Sequence, residues 1–68
     1  MAIRLIVNGK PEPVAASITI GELLAGRRID QTHVVVEVNR EIIARERFHE
    51  IELGDNDVVE ILRFVGGG

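Results

Sequence analysis

Apolar residues recur along the chain first at intervals of two, then of three and four, and each interval predicts an element. Ile3, Leu5 and Val7 lie on one side of Ala2–Val7 with Arg4 on the other, the pattern of a half-buried strand. Asn8-Gly9 follows at once, and both residue types tolerate the positive φ of a two-residue type I′ hairpin. The returning arm, Pro11 to Ser17, holds two prolines. Proline cannot donate to a ladder, so this second strand is expected at a sheet edge. Thr19-Ile20-Gly21-Glu22 has the spacing of a capping box, and Ile20, Leu23 and Leu24 fall on one helical stripe. The predicted helix is short. Gly26 marks its last turn, and Arg27 and Arg28 stand near the negative end of its dipole.

Beyond the helix the period returns to two. Val34 to Val38 is a β-branched run with Glu37 facing outward, and Asn39-Arg40 forms a tight turn into a short strand, Glu41 to Ala44. Arg45 to Glu50 is mostly charged, with Phe48 tucked inward from a short helical turn. Leu53-Gly54-Asp55-Asn56-Asp57 reads as a polar turn. The last strand, Val58 to Val65, is apolar except at Glu60 and Arg63, and a nearly continuous apolar strand belongs at the centre of a sheet. Parallel pairing of this strand with the first makes both central and leaves the proline-bearing strand at an edge. The fold predicted is α+β, a β-grasp (ubiquitin-like) arrangement in which a mixed sheet of four to five strands packs on one helix. Residues 1–65 form this domain, and residues 66–68 form a flexible glycine tail.

Composition narrows the function. The 68 residues provide one core, and a chain of this size buries only about 60% of its unfolded surface. With 46% hydrophobic and 28% charged residues the chain is globular rather than disordered. A net charge of −3 argues against nucleic acid as a partner. No apolar run is long enough to cross a membrane, and no signal peptide is visible, so a cytoplasmic protein is expected. The absence of cysteine excludes disulfides, thiolate metal sites and a cysteine nucleophile. The single serine, Ser17, is far in sequence from His33 and His49, which read as ordinary surface residues. Asp55-Asn56-Asp57 lacks the further oxygen ligands of a calcium loop and reads as a solvated turn. No enzyme, bound cofactor or metal is expected.

One feature stands apart: the sequence ends Phe64-Val65-Gly66-Gly67-Gly68. A frayed end or a cloning remnant would look the same. As a functional element, glycines without side chains pass through a narrow channel, and three extended residues reach roughly 10 Å. The α-carboxylate of Gly68 is ionised at neutral pH, with a pKa of about 3.5, and is a poor electrophile until activated.

Three stretches carry a family resemblance: Thr19 to Leu24; Val34 to Ile43 with Arg45; and Asp57 to Ile61 running on to Gly68. With the opening strand and Asn8 they cover nearly the whole chain, which resembles the bacterial ubiquitin-like sulfur carriers, above all the carriers of thiamine biosynthesis. One departure is Asn56-Asp57, where the family usually has Gly-Asp. Asparagine tolerates the left-handed conformation, so the same turn is expected. The resemblance implies that an adenylating enzyme uses ATP to join AMP to the Gly68 carboxylate. A sulfur donor protein then converts the adenylate to a thiocarboxylate, and thiazole synthase takes the sulfur. Gly66 and Gly67 would thread the tail into these partners. Rival readings are the small subunit of molybdopterin synthase, a ubiquitin-type modifier and a non-covalent β-grasp binding module. For the modifier, the sole lysine, Lys10, restricts chain-building. Leu62 and Phe64, on the last strand, are the candidate docking residues, with a core role for both as the alternative.

Overall fold

The structure is a computed structural model that describes residues 1–64. Its elements are strands β1 (Ala2–Val7) and β2 (Lys10–Ala15), helix α1 (Ile20–Gly26), and strands β3 (Val34–Val38), β4 (Glu41–Ile43) and β5 (Val58–Arg63). Single 3₁₀ turns, Gln31–His33 and Arg45–Arg47, precede β3 and follow β4. The sheet order is β2-β1-β5-β3-β4. β1 and β5 pair in parallel, and the other neighbours are antiparallel. The sheet is therefore mixed, β5 is central and the proline-bearing β2 is at an edge, as the sequence predicts.

Alternation along the strands sorts their residues into two faces. One face supplies Leu5, Val7, Val34, Val36, Val59 and Ile61 to the core, where Ile20, Leu23 and Leu24 of α1 meet them with Phe48 and Leu53. The helix start is tied down on every side. Thr19 Oγ1 accepts the Glu22 amide at 3.1 Å, and the Thr19 amide donates to Glu22 Oε1 at 2.9 Å. The Ile20 and Gly21 amides donate to the carbonyls of Ile51 and Phe48. The chain around the buried Phe48 thus receives the helix N-terminus, which is why a seven-residue helix persists although short helices are marginal in isolation.

Three boundaries differ from the sequence reading. β2 runs Lys10–Ala15 rather than Pro11 to Ser17, because Ser17 sits at φ 67° in the turn that follows. β4 stops at Ile43, since Ala44 already caps the 3₁₀ turn after it. β5 ends at Arg63, with the Phe64 amide making one more bond to the His33 carbonyl at 2.8 Å. Val65, assigned to the last strand from sequence, lies outside the described residues.

Two turn asparagines clamp the beginning of β5 from opposite sides. Asn8 (φ 49°) and Gly9 (φ 83°) both take the left-handed geometry of the first hairpin. Asn8 Oδ1 accepts the Ile61 amide at 2.8 Å, and the Asn8 amide donates to Val59 O. Asn39 (φ 51°) accepts the Val58 amide on Oδ1 at 2.9 Å and donates from Nδ2 to Asp57 Oδ1 at 3.0 Å. Asn39→Ala is expected to cost about 2–3 kcal/mol, the sum of a left-handed β-carbon and a lost hydrogen bond. Asn39→Gly keeps the backbone geometry and loses only the side-chain bonds, so it should cost about 1 kcal/mol. Urea midpoints of the two variants check the order, and equal losses would contradict it.

Candidate functional site

The helix-free face of the sheet and the end of β5 form the candidate site. With Val59 and Ile61 turned to the core, Val58, Glu60 and Leu62 face away from the helix. Leu62 is 53% exposed, Val58 42% and Phe64, just past the strand, 60%. A core role for Leu62 and Phe64 is thereby ruled out. Register extends the surface across neighbouring strands: Val35 lies opposite Leu62, Ile6 opposite Val58, and Ile42 opposite Glu37. Ile42 is 67% exposed. The result is a row of apolar side chains on the open face, the kind of patch that marks a protein interface. Glu37 and Glu60 stand directly opposite each other within it.

The sequence singles out Leu62 and Phe64, both of which the structure leaves exposed, and to these exposed apolar residues the structure adds Ile42 and Val58. The signal for Ile42 was present: once Glu37 faces outward, a two-residue turn at Asn39-Arg40 places Ile42 beside it on the same face. Val58 carried only a conflicting signal: Glu60, two residues on, points it outward, whereas an outward Arg63, five residues on, would point it inward.

Where the chain leaves the sheet, a shallow cavity of about 230 Å³ is lined by Ile29, Asp30, His33, Val34, Arg63 and Phe64. Asp30 organises this corner. Its Oδ1 accepts the Thr32 amide at 2.9 Å and the Thr32 hydroxyl at 2.7 Å, and its Oδ2 lies 3.3 Å from His33 Nδ1. The bonds from the Thr32 hydroxyl and then its amide, helped by His33, hold the Asp30 carboxyl below the ordinary aspartate range.

Among the described residues no three His, Asp or Glu side chains converge to hold a metal. The second cavity, about 360 Å³ beside Thr19, Gly21, Glu22, Ala25, Gln31 and His49, adjoins a helix start whose amides are already bonded. Asp55 and Asp57 are occupied structurally: Asp55 Oδ1 accepts the Arg4 amide and Asp57 Oδ2 the Gly54 amide. Asn56 between them takes φ 69°, the left-handed geometry expected of it. Gly66, Gly67 and Gly68, the residues expected to thread and to carry sulfur, lie outside the described residues. No described helix is long and apolar enough to cross a membrane.

Comparison with known proteins agrees with this architecture. The sequence pattern of the ThiS family matches residues 5–68. The chain is 56% identical over 50 residues to the sulfur carrier protein ThiS of Bacillus subtilis (strain 168), covering 74% of this chain and 76% of that one. Among solved structures, the crystal structure of the thiamine biosynthesis protein ThiS from Geobacter metallireducens superposes with a TM-score of 0.82 at 43% identity. That match covers 97% of this chain and all of the other. A thiazole synthase of Paramagnetospirillum magneticum (strain ATCC 700264 / AMB-1) is 35% identical over 66 residues. Those residues are 97% of this chain but only 20% of the synthase.

Proposed function

The chain belongs to the ThiS family, and from that premise we propose that it is the sulfur carrier of thiamine biosynthesis, bearing sulfur as a thiocarboxylate on Gly68. The observation that carries this reading is the family match, which spans the β-grasp domain and includes all three terminal glycines. The chemistry follows from what a carboxylate needs. At neutral pH it is anionic and resists nucleophiles. Transfer of AMP from ATP, with release of pyrophosphate, converts it to a mixed anhydride. Sulfide-level sulfur, HS⁻ or its equivalent delivered by the donor, then attacks the acyl carbon, displaces AMP and leaves the thiocarboxylate. The adenylating enzyme supplies ATP and the catalytic groups, a sulfur donor protein supplies the sulfur, and the carrier contributes the reacting terminus and a surface to dock it. A cytoplasmic location is part of the same proposal.

Thiazole synthase is the acceptor. Support comes from the synthase that contains a stretch similar to almost all of this chain, as expected when a carrier and its acceptor work as a pair. The apolar row of Ile42, Val58, Leu62 and Phe64 is the docking surface, and Gly66 and Gly67 pass through the partner's channel. Phe64→Ala should leave the melting temperature within about 4 °C, since exposed side chains contribute little to folding. The same variant should bind the adenylating enzyme about ten-fold more weakly, the cost of removing an aromatic anchor. Calorimetry and titration of the variant separate the two effects; loss of stability with unchanged binding would overturn the docking role.

Incubation with an adenylating enzyme of the pathway, ATP and a sulfur source tests the whole reading. Appearance of a species heavier by the exchange of one oxygen for sulfur supports it. Failure of any adenylate or thiocarboxylate to form would leave a non-covalent module.

A further inference from the structure

The corner where β5 ends contains a device that the carrier reading does not by itself require. β3 begins from a 3₁₀ turn, Gln31–His33, and the carbonyl of its last residue accepts the Phe64 amide at 2.8 Å. This is the last backbone bond that holds the chain to the sheet among the described residues. The position of that carbonyl depends on the turn, and the turn depends on Asp30. Asp30 is its N-cap, bonded through Oδ1 to the Thr32 amide and hydroxyl, while its Oδ2 lies beside the His33 ring. The Asp30 carbonyl also accepts the His33 amide at 3.2 Å. Four contacts from three atoms of one residue thus fix the segment that grips Phe64.

We propose that Asp30 is a positioning residue for sulfur transfer: by capping the turn that holds Phe64, it sets the point from which the glycine tail starts and keeps Phe64 placed on the docking surface. The inference rests on the carrier reading for its consequence, but not for the anchor itself. From Phe64 to Gly68 the chain reaches at most about 14 Å, so the place where it leaves the sheet fixes which sites the terminus meets. Releasing Phe64 moves that point back along β5 and lengthens the tether, which lowers the effective concentration of Gly68 at a partner's site. It also frees an aromatic side chain that docking must then re-order.

The test compares the full-length protein with Asp30→Ala and Asp30→Asn, because asparagine caps as well as aspartate whereas alanine does not. Amide hydrogen exchange read by NMR should accelerate about five-fold at Phe64 in Asp30→Ala, the loss of one capping interaction. Ile61, deeper in the strand, should change less than about two-fold, since local opening need not spread to the core. In the adenylation assay the KM of Asp30→Ala as substrate should rise at least about two-fold with kcat unchanged, and Asp30→Asn should restore both values. Unchanged exchange at Phe64 overturns the anchor, and faster exchange with unchanged KM overturns its role in transfer. A wild-type protein that accepts no AMP would defeat the carrier reading, and with it the role in transfer, while the exchange data still decide whether Asp30 holds Phe64.

Discussion

Phe48→Ala is expected to cost about 3–5 kcal/mol, the range for truncating a buried aromatic residue. Phe48 is 2% exposed and is among the largest side chains wholly enclosed by the fold. It lies outside the regular elements, in the segment after the second 3₁₀ turn, yet its carbonyl accepts the Gly21 amide at the start of α1. Removing the ring opens a cavity under the helix and loosens the segment that holds the helix start. A domain of this length has about 3–10 kcal/mol of stability in total. The variant should therefore lose from about a third to all of that stability. A urea titration followed by circular dichroism measures the loss, and a change below about 1 kcal/mol would mean that Phe48 is not the keystone of this packing.

Gly67→Val is expected to lower adenylation about 10- to 100-fold without altering the fold. The substitution lies beyond the described sheet, so the core and its bonds keep their partners. On the proposed threading, a valine side chain would meet an overpacking penalty of about 1–3 kcal/mol in a channel that admits glycine, and each 1.36 kcal/mol is a factor of ten in rate. The assay is formation of the AMP adduct by the pathway's adenylating enzyme, with the variant's thermal unfolding as control. Normal AMP transfer to Gly67→Val would refute threading as the reason for the glycines.

Much of this fold could be read from local patterns because local chemistry sets it. The Asn8-Gly9 turn, the Thr19–Glu22 capping box and the β-branched run of β3 each specify their geometry within a few residues, and the structure shows all three. The central place of β5 followed from its apolar run, and the edge place of β2 from its prolines. The orientation of Leu62 and Phe64 was not legible from β5 alone. Its two charged residues, Glu60 and Arg63, are three apart and so mark opposite faces, which leaves the apolar positions without a consistent alternation. Long-range contacts made that choice: the register with β3 and the bonds from Asn8 and Asn39 to the β5 backbone. Ile42 and Val58 joined the open face through the same register. Asp30 was equally hidden, since a carboxylate three residues before a histidine reveals nothing until the turn between them meets the end of another strand.

The central claim is that Gly68 carries sulfur, and intact mass tests it most directly. The protein and a variant lacking Gly68 are each incubated with the adenylating enzyme, ATP and a sulfur source, then weighed. The account predicts that the full chain gains the mass of sulfur less that of oxygen while the shortened chain is unchanged. The same gain on the shortened chain, or no gain on either, would contradict it.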